Sequence, residues 1–378
     1  MSLKLENINR TVNGEVYLKD INLTLEPGRL NVLLGRTLSG KTSLLRLIAG
    51  LDKPDSGKVF SRDQDVTGLS VQKRNVGMVY QQFINYPNLT VYDNIASPLK
   101  LAKVDKATID RQVRDIAERL SISQFLSRFP LELSGGQQQR TALARALVKD
   151  ADVVLLDEPL ANLDYKLRES LRADLRDLFT QRNSVVVYAT TEAQEALALG
   201  GHSVLLHEGQ VLQSGPTAEQ FRQPVNLNSA NLFSEPPLNT LMGIKQGGEL
   251  RLAGLPAVVT LSEHLKALPD GEYLFAWRPT DASLVAKSEH DIELLLDVDV
   301  AEISASESFI HTHYRVGQST ENHSWVWQIQ GVHNLPNDDK IRLHLSSQKL
   351  FVFAADGKCV ASPQSKLSEL SILGDECG

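Results

Sequence analysis

Cysteine is nearly absent from this sequence. Only Cys359 and Cys377 occur among 378 residues, both near the C-terminus. Two are too few for a disulfide scaffold and lack metal-type spacing, so a reducing cytosol is expected. Basic residues are not in excess. Lys and Arg number 39 against 46 Asp and Glu, giving a net charge of −7 and an isoelectric point of about 5.8. That balance argues against a nucleic-acid-coating protein. No apolar run is long enough to cross a bilayer, and the start, Met1–Glu6, has no apolar core of a secretory signal. Aromatic residues are sparse, and Tyr17 is the only one before Gly35. What remains, 42% hydrophobic and 22% charged, is ordinary for a soluble globular protein with room for two or three domains.

Against that plain background one stretch stands out: Gly35-Arg36-Thr37-Leu38-Ser39-Gly40-Lys41-Thr42 fits the phosphate-binding pattern G-x-x-x-x-G-K-[ST]. The apolar run Leu30–Leu34 before it reads as a buried strand, and Thr42–Ala49 after it as a helix stopped by Gly50. Strand, glycine loop and helix start together make an anion site. Inward-turned N–H groups and the positive helix end converge on one point. Lys41 is expected to reach β- and γ-phosphates and the Thr42 hydroxyl to ligate Mg²⁺. Arg36, Thr37 and Leu38 are bulky for such a loop. Tyr17 is either the stacking face for the base or a strand surface residue.

The segment before the loop alternates apolar and polar positions with turns at Asn13-Gly14 and Pro27-Gly28, which predicts antiparallel strands. Val76–Tyr80 reads as a further strand ending at Gln81-Gln82, where an amide could ligate Mg²⁺ and orient water. Residues 106–147 turn helical, with Ile109, Val113, Ile116 and Leu120 in step and Pro130 as a break. Leu133-Ser134-Gly135-Gly136-Gln137 then opens a helix over Gln138–Leu147, with Ser134 as its cap and two glycines exposing N–H groups at its positive end. This is a second anion-binding design. One nucleotide does not need two cradles from one chain, so the second is expected to serve a nucleotide held by another subunit. Ala151–Glu158 is an apolar strand ending in two acids: Asp157 suits Mg²⁺ through water, and Glu158 can polarise an attacking water. A helix follows from Lys166 to about Thr180, then the strand Ser184–Thr190 and a further strand, Val204–His207. Such alternation indicates a largely parallel sheet.

Beyond Pro224 the character changes. An Asn/Ser-rich stretch and Pro236-Pro237 suggest a linker, and short strands at roughly ten-residue spacing suggest a small β-barrel or sandwich. These are Leu250–Leu252, Ala257–Leu261, Tyr273–Trp277, Ile292–Val300, Phe309–Val316, Ser324–Ile329, Ile341–Leu345 and Leu350–Ala354. His311 and His313 share a strand face and could bind metal with His323, although a surface position is expected. Trp325 and Trp327 read as a packed strand face.

Together these motifs resemble the ATP-binding subunits of ABC transporters. Gly35–Thr42 corresponds to the Walker A loop, Gln81 to the Q-loop glutamine, Leu133–Gln137 to the LSGGQ signature, Leu155–Glu158 to Walker B and Asn162–Asp164 to the D-loop. The segments Glu235–Asn239 and Trp277-Arg278-Pro279 are similar to those of maltose- and glycerol-phosphate-importer-type ATPases for sugars and polyols. The resemblance implies an α/β P-loop NTPase fold, a mixed sheet core with a helical subdomain, followed by a small all-β OB-like barrel domain. It divides the chain into an ATP-binding domain at 1–222 (helical subdomain about 83–148), a linker at 223–236 and a regulatory β domain at 237–378.

It also implies ATP and Mg²⁺ as cofactors and a head-to-tail dimer that sandwiches nucleotide between one chain's Walker A and the other's signature. Two permease subunits would dock on Tyr80–Tyr92, with a solute-binding protein acting beyond them, and the chain would lie at the cytoplasmic face of the inner membrane. No nucleic-acid partner is expected, because DNA-repair relatives insert long heptad coils that this chain lacks. One departure matters: where the family has Thr-His-Asp, this chain has Thr190-Thr191-Glu192. Thr191 is shorter than His and never cationic. The expectation is therefore a slow site, in a heterodimer with a second ATPase subunit that carries the histidine, and a polyol such as glycerol as the solute. The alternatives are a homodimer in which Thr191, Gln81 and Glu158 suffice, and a largely non-catalytic structural subunit.

Overall fold

The computed structural model describes residues 2–161, 165–180, 183–255, 259–288, 291–304, 306–315, 322–336 and 339–363. They form two compact units, Met1–Thr217 and Ala218–Gly378. No helix among the described residues is long and apolar enough to cross a membrane.

The first unit is built on a six-stranded sheet in the order Gln210–Pro216, His202–His207, Leu30–Leu34, Val185–Thr190, Val153–Asp157, Val76–Val79. All pairs are parallel except the first. Three central strands, Leu30–Leu34, Val153–Asp157 and Val185–Thr190, are buried along their whole length. This explains why they appear as unbroken apolar runs: a parallel sheet covered on both faces has no solvent side to alternate toward. A four-stranded antiparallel sheet adds Glu15–Leu25, Leu3–Val12, Ser56–Ser61 and Gln64–Asp65, matching the expected antiparallel start. Its inward residues, among them Leu5, Ile21 and Leu25, pack in one core with Leu44, Leu45 and Ile48 of the helix Lys41–Ala49. Gly50, in a left-handed conformation at φ 79°, ends that helix as expected.

The helical part differs in detail from the continuous pattern over 106–147. Thr90 caps Val91–Leu101 and Asp105 caps Lys106–Arg119, each accepting a backbone N–H. Pro130 starts a short 3-10 turn rather than merely breaking a helix. The next helix runs Gly135–Leu147, three residues earlier than the expected start at Gln138, because Ser134 itself is the N-cap.

The second unit contains two five-stranded antiparallel sheets, an OB-like all-β arrangement. One runs Glu249–Leu252, Asn239–Gln246, Gly271–Trp277, Phe351–Phe353, Cys359–Ala361. The other runs Ala282–Ser283, Lys340–Ser346, Asp291–Ser304, Glu307–Arg315, Asn322–Gln330. Trp277, Trp325 and Trp327 are buried with ring centroids 5.2–6.0 Å apart. The last two therefore are a packed strand face, with Trp327 Nε1 donating to Thr312 Oγ1 at 2.9 Å. The Asn239 side chain bonds both the N–H and the carbonyl of Val326. The Arg278 guanidinium lies over the Phe221 and Phe351 rings at 3.8 and 4.7 Å, and burial lowers its pKa to about 10.

Three expectations change here. The segment read as a linker contains a helix, Leu227–Leu232, capped by Asn226, with Ala230 and Leu232 buried. The strand expected over Ala257–Leu261 reduces to one bridge between Val259 and Leu250, with residues 256–258 outside the described residues. His311 and His313 do share a half-buried face, but His313 pairs with Asp299, and the His323 side chain lies outside the described residues. No group of metal-holding side chains occurs among the described residues.

Candidate functional site

The carboxyl ends of the buried strands converge. Leu34 pairs with Thr190, and Asp157 with Ala189, so the loop after Leu34, the acids after Leu156 and the turn after Thr190 start side by side. Ligands of open parallel sheets bind at such strand ends. Backbone bonds fix the junction: Gly35 N–H donates to the Thr190 carbonyl at 3.4 Å and Glu158 N–H to the Ala189 carbonyl at 3.0 Å.

The loop needs its glycines. A Cβ on Gly35 would collide with Ser39 Oγ and stand 2.6 Å from the Leu206 carbonyl oxygen, and Gly40 adopts φ 100° with the Tyr17 carbonyl close by. Leu38 also adopts positive φ, 67°, with its side chain 93% exposed. The loop wraps back on the helix start, whose first turn carries no acid to offset its positive end. The buried Lys41 ammonium donates to the carbonyls of Gly35 at 2.8 Å and Arg36 at 3.1 Å, and lies 3.7 Å from Glu158. Burial lowers the Lys41 pKa, opposed by the charges of Glu158 and Asp157.

Thr42 Oγ1 donates to Asp157 Oδ1 at 3.2 Å. Asp157 is 3% exposed, and burial raises its pKa. Hydroxyl and carboxylate oxygens together suit a hard divalent cation. Gln81 Nε2 donates to Glu158 Oε2 at 2.9 Å, although far from it in sequence. Glu158 stands at φ 46°, a left-handed conformation that a non-glycine residue adopts under constraint, often at a working site.

Around these groups is a cleft of about 420 Å³. Glu15, Val16, Tyr17, residues 37–43, Gln81 and Glu158 line it. Tyr17 is thus at the loop, 38% exposed. Gly35 and Arg36 meet Lys41 through their carbonyls only. Asp157 does not line the cleft and joins the group through Thr42. Thr191 lies half-buried just past the strand and does not line the cleft. The D-loop segment Asn162–Asp164 lies outside the described residues. Sequence reasoning missed Glu15, Val16 and Ser43 as lining residues. The glycine pattern placed Ser43 one step away, and the Asn13-Gly14 turn marked the hairpin of Glu15 and Val16, but nothing local brings that hairpin to the cleft.

The second glycine turn is separate from that cleft. Ser134 Oγ accepts Gln137 N–H at 3.4 Å, and Gln137 Oε1 accepts Ser134 N–H at 3.0 Å, a reciprocal cap. Leu133 is buried, Ser134 and Gly135 are exposed, and Gly136 and Gln137 are half-buried. None of the five lines the cleft around Lys41. Residues 80–92 are held by the buried Asn94, which bonds Tyr86 N–H and carbonyl and the Leu89 carbonyl, and by Arg145 stacked 4.8 Å over the Tyr86 ring. Ile84 and Tyr86 remain half exposed.

Comparison with known proteins agrees with this geometry. Residues 18–161 match the ABC transporter family model. The trehalose/maltose import ATP-binding protein MalK of Thermococcus litoralis is 38% identical over 82% of this chain and 87% of its own length. The sn-glycerol-3-phosphate import ATP-binding protein UgpC of Brucella abortus is 31% identical over 94% of this chain and 98% of its own. Among solved structures, a dimeric bacterial ABC transporter cassette superposes with TM-score 0.53 at 28% identity, covering 57% of this chain and 98% of that one. Strand-end acids, a glycine-cradled lysine and sequence kinship across both units lead to one conclusion: this chain belongs to the ABC transporter family, among the ATP-binding, ATP-hydrolysing subunits of importers.

Proposed function

We propose that this chain energises import of a small carbohydrate or polyol by binding ATP with Mg²⁺ at its strand-end cleft and lending Leu133–Gln137 to a nucleotide held by a second ATPase subunit. The observation that carries the reading is the meeting of Lys41, Thr42, Asp157, Glu158 and Gln81 at one lip. The nucleotide-binding set is Gly35–Thr42 with Tyr17 as the base-stacking face. Lys41 bears on the terminal phosphates. Thr42 and Asp157 would hold Mg²⁺, with Gln81 completing the shell, and the cation would supply charge neutralisation at the transferring phosphoryl group. Glu158 polarises water, and Gln81 orients Glu158. Two permeases dock on the segment 80–92, where exposed Ile84 and Tyr86 stand on an Asn94-braced loop, and the chain works at the membrane's cytoplasmic face. The relatives named for trehalose/maltose and glycerol phosphate support the solute class.

Thr191 makes the chain's own site slow, and the partner that compensates is a different ATPase subunit carrying a histidine. Loss of one oriented polar contact to a transferring group costs about 10²–10³ in rate. ATP turnover by the purified full-length chain tests this. The expected result is slow turnover that T191H raises by about 10²-fold or more. Turnover by the unmodified chain alone at the rate of a complete transporter would refute the slow site and favour a homodimer.

A further inference from the structure

The helix Ala193–Leu199 buries a carboxylate that none of the family motifs uses. Glu195 is 3% exposed. Its Oε2 accepts the Thr190 hydroxyl at 2.7 Å and the Tyr188 phenol at 3.0 Å, while Oε1 is buried without a hydrogen bond among the described residues. Thr190 Oγ1 in turn accepts the Glu192 N–H at 3.0 Å. One hydroxyl therefore ties Glu195 to the first turn after the strand, the turn that carries Thr191. The outer side is tied separately, because Arg168 donates to both Glu192 carboxylate oxygens at 2.7 Å. Thr191 is thus bracketed by two held carboxylates.

The same strand end touches the reacting groups through its backbone. Thr190 carbonyl accepts Gly35 N–H, and Ala189 carbonyl accepts Glu158 N–H. We infer that Glu195 is a positioning residue for ATP hydrolysis: through Thr190 it sets the turn bearing Thr191 against the phosphate loop and Glu158. The inference rests on the hydrolytic reading above and adds to it a residue outside the cleft. Stability alone does not account for the arrangement. Replacing all partners of a buried hydrogen-bonded cluster by apolar groups of the same shape can be nearly neutral, and burial itself raises the Glu195 pKa, so the ionised form is held at a disadvantage. A fixed geometry is what the cluster supplies.

The test replaces the polar trio together. In the full-length chain, Y188F/T190V/E195L removes the cluster with nearly constant volume. The expected result is an unchanged or higher Tm and unchanged affinity for a non-hydrolysable ATP analogue. With them goes a kcat lower by about tenfold to a hundredfold, the scale of a displaced catalytic geometry. Amide hydrogen exchange over residues 189–193 should rise in parallel. The single variant E195Q keeps the acceptor oxygen and should keep kcat within about threefold of the wild type. Unchanged exchange in the triple variant overturns the clamp. Raised exchange with unchanged kcat overturns the positioning role, and so does a kcat that falls only as far as Tm and nucleotide affinity fall. A wild type that turns over no ATP at all counts against hydrolysis itself, whereas a wild type that turns over ATP no faster than the triple variant counts only against Glu195.

Discussion

The first unit contains two glycine turns at helix starts, and they live in opposite surroundings. Gly35–Thr42 is anchored from within: Gly35, Ser39 and Lys41 are buried while Arg36, Thr37 and Leu38 are exposed, and the loop bonds Asp157, Glu158 and Thr190 of the same chain. Leu133–Gln137 is open: a Cβ on Gly135 would meet nothing within 4 Å, and the hydrogen bonds of its side chains close the reciprocal cap between Ser134 and Gln137. The first turn brings Lys41, Thr42, Asp157 and Glu158 together. The second offers donors and nothing to complete them. Two turns of similar design thus sit in different surroundings, and on the proposed reading the first holds a nucleotide while the second is lent to a partner's.

That contrast can be broken most forcefully by charge. K41A should lower ATP turnover by about 10²–10³-fold, because in the proposed site it removes the buried cation that would face developing negative charge. S134R should lower turnover of the assembled transporter on a similar scale while leaving analogue binding to the isolated chain unchanged. A calorimetric titration showing that S134R weakens binding to the isolated chain would erase the distinction. Sterics give a smaller effect of the same kind. G35A forces a Cβ against Leu206 and Ser39 and should cost about 1–3 kcal/mol in denaturant melts, whereas G135A should stay within about 0.5 kcal/mol. S134A removes a cap and should cost about 1 kcal/mol, with no change at the first turn.

The smallest effect is in pH. The Glu195 pKa is raised by burial above its ordinary 4.5. The folded state therefore binds a proton more tightly than the unfolded chain, and the stability this confers is fully present below pH 4.5 and lost as pH rises through the folded value. E195Q removes that dependence. Its Tm relative to wild type should be most favourable near neutrality and decline as pH falls toward 4.5, and a difference independent of pH would contradict the raised pKa.

How much of this could be read from sequence follows from physics. The strands at 30–34, 153–157 and 185–190 were legible because burial on both faces leaves only apolar residues. The phosphate loop was legible because its chemistry is local: Gly35, Gly40, Lys41 and Thr42 lie within one turn and one helix start. The strand Asn239–Gln246 was missed because Met242, Ile244 and the amides blur its alternation, and because Lys245 is buried by pairing with Asp270, a partner given only by the fold. The helix Leu227–Leu232 was hidden by a composition of Asn and Ser that reads as loop, although Asn226 caps it. Glu195 was invisible for a different reason. On a short helix beside Glu192 it looks like a solvated charge, and only the topology brings Tyr188 and Thr190 over it. The Lys41–Glu158 ion pair was likewise beyond reach, since its two motifs were read for separate tasks.

The three tryptophans of the chain have a practical consequence. All lie in the second unit, with ring centroids within 6.0 Å of one another, so the ATP-binding unit contains no tryptophan and the indole signal belongs to the β sheets alone. Red-edge emission will therefore register denaturation of one half of the polypeptide and ignore the other. Installing a fourth indole by Y17W would place a reporter on the cleft's lip, whose quenching by adenine would follow ligand arrival against a constant background.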